Sequence, residues 1–200
     1  MADALLRGQR AMVIGLAREG LDLSRFLLAH GASVLVTDRK AAHELDEAVR
    51  QLPTDGVTYR LGGHDLRDLE SVDVVYASPG VPPEHELLQA AIQQGKKLSS
   101  LVELFCALCP APILGITGSA GKSTTTSLVG AMFQAAGRDV FVGGNIGRPL
   151  LGDLDEMSAS SWVVMELSSF QLEPLRTSPH IAVVTNVTPN HLDRHPSMQA

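Results

Sequence analysis

Two hundred residues, 44% of them hydrophobic, hold enough apolar material for one large or two small cores. A formal charge of −6 excludes a dedicated nucleic-acid or anionic-membrane binder, because phosphate-backbone affinity needs clustered Lys and Arg. No apolar run reaches membrane-spanning length, and the opening M-A-D-A-L-L-R-G-Q-R lacks the apolar segment of a secretory signal, so the expected compartment is the cytosol.

Residues 11–15, A-M-V-I-G, read as a short buried strand that turns at Gly15 into a helix carrying Leu21, Leu23, Phe26, Leu27 and Leu28, which Gly31 closes. A second apolar strand, 32–37, ends in Asp38. This is the opening of a Rossmann-like βαβ unit, in which an acidic residue at the end of the second strand meets a ribose or base. The glycine fingerprint is degenerate. Ala17 stands where G-x-G-x-x-G needs its middle glycine, so a pyrophosphate cannot approach closely; another nucleotide, or none, is favoured over NAD.

A helix over 41–52 stops at Pro53, and a weak strand, 57–61, runs into Gly62 and Gly63. Strand 72–77 delivers Ser78-Pro79-Gly80. Ligands of open parallel sheets gather at the carboxyl ends of strands, which places this turn at the crevice of Gly15 and Asp38; alternatively S-P-G is only a tight turn. A helix over 84–94, a short strand at Leu98 and a helix over 101–108 lead to Pro110 and Pro112. There a first domain, 1–109, is expected to give way to a second, 110–200. Cys106 and Cys109 close the last helix instead of opening one, and no second ligand pair accompanies them. They read as apolar packing, not as a redox or zinc pair.

The second domain opens on residues 113–124, I-L-G-I-T-G-S-A-G-K-S-T: an apolar strand, a loop bracketed by Gly118 and Gly121, and a helix with Leu128, Val129, Met132 and Phe133 at helical spacing. Such a loop offers backbone N–H groups and the positive end of a helix dipole to an anion. Lys122 supplies a point charge for the outer phosphates, and Ser123 a hydroxyl for magnesium. The implied ligand is a nucleoside triphosphate. Ile116 stands where the strict phosphate-loop pattern has its first glycine, so the match is to the shorter G-x-x-G-K-S.

Beyond this helix, strand 139–142 ends in Gly143-Gly144-Asn145-Ile146-Gly147, a backbone that a ligand can approach closely or simply a loop needing positive φ. Strand 162–165 ends in Glu166, whose carboxylate can hold a magnesium ion that bridges phosphate oxygens. A last strand, 181–185, leads to Asn190, His191 and His195. The two histidines are spaced as a helical zinc pair, but no further Cys or His completes a zinc site, and one histidine is expected to work beside the magnesium carboxylate.

The stretches I-T-G-S-A-G-K-S-T (116–124), V-G-G-N-I-G (142–147), E-L-S-S-F-Q-L-E (166–173) and N-V-T-P-N-H-L-D-R-H (186–195), supported by A-S-P-G (77–80), resemble the Mur ligases of peptidoglycan synthesis. The phosphate loop alone is equally similar to that of folylpolyglutamate synthases. The likeness covers the whole chain in order. It implies an α/β protein: a Rossmann-like parallel-sheet domain followed by a P-loop NTPase-type domain. It also implies an ATP- and magnesium-dependent ligase, monomeric, that joins D-glutamate to UDP-N-acetylmuramoyl-L-alanine through an acyl phosphate.

By the same resemblance, Arg18, Asp38, Arg39, Ser78 and Gly80 contact the uridine diphosphate, and Asn145, Ser168 and His191 the rest of the acceptor. Gly118, Ser119, Ala120, Gly121, Lys122, Ser123 and Thr124 cradle ATP; Ser123 and Glu166 hold one magnesium and His191 a second. Lys122, Glu166 and His191 are the expected catalytic residues. Asn190 replaces the aspartate usual before this histidine, which removes a carboxylate beside a metal ligand. Family members continue beyond the equivalent of Ala200 into a third domain. The chain is thus expected to be the N-terminal part of a longer protein, binding the UDP substrate without completing ligation. The competing expectations are a non-catalytic nucleotide-binding module and, less favoured by Ala17, an NAD-dependent oxidoreductase.

Overall fold

Short apolar strands alternating with helices favour parallel pairing, because each crossover helix carries the chain back to the end of the sheet where the previous strand began. The computed structural model, which describes residues 2–192 and 197, has two such parallel sheets in two units, Met1–Leu104 and Phe105–Ala200.

The first unit runs α1 (Ala2–Leu6), β1 (Arg10–Ile14), α2 (Arg18–Ala29), β2 (Ser33–Asp38), α3 (Ala42–Arg50), β3 (Val57–Leu61), β4 (Val74–Ala77), α4 (Glu86–Gln93) and β5 (Lys97–Ser99), with a 3₁₀ turn at Leu66–Ser71. The sheet order is β3-β2-β1-β4-β5. Central β1 is buried from Ala11 to Ile14, as a parallel strand covered on both faces must be. One core gathers Met12, Ile14 and Val75 of the sheet with Leu69, Leu87, Leu88 and Ala91. Strand order reverses at β1, which opens a crevice at the carboxyl ends of β1 and β4.

Helix α5 (Leu101–Leu108) contains the point where the chain passes from one unit to the next. The second unit then runs β6 (Ile113–Thr117), α6 (Lys122–Ala135), β7 (Val140–Gly144), β8 (Trp162–Glu166), α7 (Ser169–Leu172) and β9 (Ile181–Val184), with a 3₁₀ turn at Leu151–Glu156. Its order is β7-β8-β6-β9. Leu114, Ile116 and Val164 form the inner face, packed by Val129, Phe133, Val140, Val142 and Val183.

Of the four apolar residues read at helical spacing on α6, two face the sheet and two face solvent. The inward-facing stripe is buried Thr126 and Gly130 with half-buried Val129 and Phe133, while Leu128 and Met132 are 55% and 65% exposed. Gly130 sets this rotation, since a Cβ there would stand 2.6 Å from Val142 Cγ2; the bare backbone lies against β7. The two cysteines of the CxxC pair form no disulfide. Cys109 Sγ lies 3.4 Å from the Ala111 carbonyl oxygen and 3.9 Å from Met157 Sδ, and burial pushes its pKa up, away from the reactive thiolate.

Candidate functional site

Three strand ends build the crevice of the first unit. Gly15, at φ 92°, turns the chain out of β1, and the Ser78 hydroxyl after β4 lies 3.4 Å from its carbonyl oxygen. Asp38 Oδ2 accepts the Leu16 N–H at 2.8 Å and Oδ1 accepts the Lys40 N–H at 2.9 Å, so the carboxylate joins the turns after β1 and β2. Each oxygen keeps lone-pair capacity for a further donor such as a ribose hydroxyl. A side chain at Gly20 would collide with the Gly15 carbonyl, so this turn requires a glycine there although the fingerprint is degenerate. Arg18, in the first turn of α2, and Arg39 and Gly80 are exposed at the same strand ends.

Sequence patterns did not single out His64. Its Nδ1 lies 2.7 Å from Thr37 Oγ1 and its ring meets His85 edge-on, with centroids 5.0 Å apart, beside a cavity of about 530 Å³ lined by Arg60, Gly62, Gly63 and Glu86. Burial lowers the His64 pKa; His85 and Arg39 push the same way, while Asp38 opposes.

In the second unit the loop between β6 and α6 is held by the chain leaving β9. Ser119 N–H donates to the Asn186 carbonyl at 3.0 Å, and Ala120 N–H donates to Asn186 Oδ1 at 3.1 Å. Asn186 Nδ2 and Thr185 Oγ1 both donate to the Ala120 carbonyl, at 2.8 and 2.7 Å. The Ser119 hydroxyl donates to the Thr188 carbonyl and accepts the Thr188 N–H, each at 2.9 Å. A side chain at Gly118 would collide with Thr185 Oγ1, and Gly121, at φ 81°, caps α6. Lys122 Nζ donates to the Gly118 carbonyl at 2.7 Å, so the ammonium group lies over the loop.

Gly118, Ser119, Lys122, Asn145, Ser168 and His191 line one cavity of about 480 Å³. Ser168 is fixed there by capping α7, its hydroxyl accepting the Gln171 N–H at 3.3 Å. His191, at φ 50°, packs its ring against Phe170 with centroids 4.9 Å apart. Ser123 and Thr124 lie exposed in the first turn of α6 and are not part of the lining. Glu166 stands behind the lining, 2% exposed, with Oε1 accepting from Asn145 Nδ2 at 2.7 Å; Oε2 is buried with no partner among the described residues. His195 lies outside the described residues. Among the described residues no three His, Cys, Asp or Glu side chains gather as a ligand set. Magnesium does not require one, since it is commonly held by one or two carboxylates with waters and substrate phosphates. The orphaned Oε2 fits such an ion.

The MurD-like N-terminal domain of Mur ligases matches residues 9–100, and the Mur ligase middle domain matches residues 116–200. Proteins named UDP-N-acetylmuramoylalanine--D-glutamate ligase are similar to nearly the whole chain. The one from Symbiobacterium thermophilum is 44% identical over 96% of this chain and 42% of its own length. The one from Anaeromyxobacter dehalogenans is 46% identical over 100% and 43%. The chain thus spans about two fifths of the length of these relatives.

Among solved structures, the fold is similar to UDP-N-acetylmuramate:L-alanyl-gamma-D-glutamyl-meso-diaminopimelate ligase from Neisseria meningitides, with TM-score 0.56, 19% identity and coverage of 96% of this chain and 64% of that one. It is also similar to UDP-N-acetylmuramate-alanine ligase from Thermotoga maritima, with TM-score 0.56, 17% identity and coverage of 94% and 44%. Two domain matches in the family's order, a phosphate-type loop at a strand-to-helix turn and a buried acid on the neighbouring strand agree: the chain belongs to the Mur ligase family.

Proposed function

We propose that this chain supplies the acceptor-binding and phosphate-binding parts of an ATP-dependent ligase that joins D-glutamate to UDP-N-acetylmuramoyl-L-alanine. The relatives of known name support the substrates. The observation that carries the chemistry is the convergence of the Lys122 loop, Asn145, Ser168 and His191 on one cavity, with the Glu166 carboxylate held behind Asn145.

In this reading the acceptor's carboxylate attacks the γ-phosphorus of ATP and ADP departs, leaving an acyl phosphate. The amine of D-glutamate then adds to the acyl carbon, and phosphate leaves as the amide forms and the nitrogen loses its proton. Phosphoryl transfer of this kind is governed by positioning and charge neutralisation. Lys122 and the free N–H groups at the start of α6 balance the polyphosphate. Glu166 with Ser123 would hold one magnesium ion and His191 a second, and such ions would neutralise further phosphate charge when bound. Asn145 and Ser168 orient the acceptor. Asp38, Ser78, Gly80, Arg18 and Arg39 hold the uridine diphosphate in the crevice of the first unit.

A reaction drawing on ATP and a UDP-sugar belongs to the cytosol, and no helix among the described residues is long and apolar enough to cross a membrane. The test is ADP release by the full-length enzyme carrying this chain. Release that requires both UDP-N-acetylmuramoyl-L-alanine and D-glutamate supports the proposal. Release supported by another amino acid instead of D-glutamate contradicts it.

A further inference from the structure

The phosphate loop is short, and two of its N–H groups are already committed. Ser119 N–H and Ala120 N–H donate to the main-chain and side-chain oxygens of Asn186. The Asn186 carboxamide takes both polar groups of one residue, accepting from Ala120 N–H and donating to the Ala120 carbonyl, as a neighbouring strand would. Only one amide orientation satisfies this pair, because the flipped group would set donor against donor and acceptor against acceptor. Thr185 Oγ1 adds a second donor to the Ala120 carbonyl.

The loop conformation is therefore held from β9 at Ser119 and Ala120, immediately before Gly121 turns left-handed into α6. Anion donors must then come from Gly121 onward, where the first N–H groups of a helix lack intrahelical partners. An unclamped loop would have to be ordered at the moment of binding, at a cost in affinity.

We propose that Asn186 is a positioning residue for nucleotide binding: its carboxamide fixes the Ser119-Ala120 segment so that the N-terminus of α6 and Lys122 meet the polyphosphate already ordered. The proposal rests on the functional reading above and deepens it.

The test compares the parent chain with Asn186→Ala and Asn186→Asp by amide hydrogen exchange without ligand and by titration with Mg-ATP, with UDP as the control ligand of the first unit. In the parent, Ser119 and Ala120 N–H exchange slowly; in Asn186→Ala they exchange at least roughly tenfold faster. Mg-ATP binding weakens by about tenfold, the equivalent of one ordinary hydrogen bond, and UDP affinity stays within about twofold. Asn186→Asp nearly preserves the volume, but it turns a carboxylate oxygen toward the Ala120 carbonyl and adds a negative charge beside the phosphate site. It should bind Mg-ATP more weakly than Asn186→Ala, and its Ser119 and Ala120 N–H groups should exchange faster than in the parent; a space-filling role would leave their exchange at the parent rate.

Unprotected Ser119 and Ala120 amides in the parent overturn the clamp. Unchanged Mg-ATP affinity in a folded Asn186→Ala chain, despite faster exchange, overturns the positioning role. A parent chain with protected amides that takes up no Mg-ATP contradicts the functional reading itself, and with it any nucleotide role for Asn186.

Discussion

Glu166 accepts the Asn145 carboxamide through one oxygen, at 2.7 Å, and buries its other oxygen without a partner among the described residues. The Asn145 N–H also donates to the Glu166 carbonyl at 3.0 Å, and a side chain at Gly144 would collide with that same carbonyl, so the ends of β7 and β8 are drawn tightly together. A buried carboxylate left half-satisfied destabilises a protein unless a cation or donor joins it.

Glu166→Gln should therefore stabilise the metal-free chain by about 1 kcal/mol, a rise in Tm of roughly 2–4 °C for a chain of this size. It should also abolish the additional stabilisation that magnesium gives in the presence of ATP. Thermal unfolding with and without Mg-ATP measures both. Equal magnesium-dependent stabilisation in parent and variant would remove Glu166 from the metal site.

Lys122 now donates to the Gly118 carbonyl, a neutral acceptor that a phosphate oxygen would replace with a stronger, charge-assisted partner. Lys122→Ala should weaken Mg-ATP binding by about 10- to 100-fold, from the loss of one or two charged hydrogen bonds, and leave UDP binding unchanged. Paired calorimetric titrations decide it.

Much of this site was legible in the sequence because strands of fully buried parallel sheets are apolar runs, and their ends are marked by residues that cannot belong in a core. Gly15, Asp38, Ser78, Gly118 and Glu166 all stand at such ends, and the strands preceding them were readable to within two residues. What was not legible depends on rotation or on contacts distant in sequence. The α6 pattern could not tell Val129 and Phe133 from Leu128 and Met132, since Gly130 decides which flank meets β7. The partnership of Asn186 with Ala120 spans 66 positions, and no local spacing records it. His64 stood as an isolated histidine until Thr37 and His85 came to it through the sheet. The two 3₁₀ turns, Leu66–Ser71 and Leu151–Glu156, carry no long periodic signal.

Gly20→Ala tests the first unit by itself. The new Cβ would drive into the Gly15 carbonyl, so α2 must shift away from β1. The expected cost is about 2–3 kcal/mol, typical of overpacking against backbone, with UDP affinity lost before Mg-ATP affinity. Urea unfolding followed by titration with the two ligands measures this.

His64 gives a pH dependence whose sign is fixed. Burial lowers its folded-state pKa below the ordinary 6.5, so the folded chain binds fewer protons than the unfolded chain across that window. Its contribution is fully present above the unfolded value and is lost as pH falls through the folded one. The facing groups, His85, Arg39 and Asp38, belong to the same balance. The difference in Tm between the parent and His64→Asn should therefore shrink as pH is lowered from about 7.5 to about 5. A difference that stays constant with pH would assign the His64 contacts no protonation linkage.

The most direct test of the account is a crystal structure of the chain with magnesium and a non-hydrolysable ATP analogue. The account predicts the polyphosphate within hydrogen-bond distance of the N–H groups of residues 121–124 and of Lys122 Nζ, with a cation between a phosphate oxygen and Glu166. The same crystals showing an empty loop at saturating analogue, or the nucleotide bound elsewhere, would contradict it.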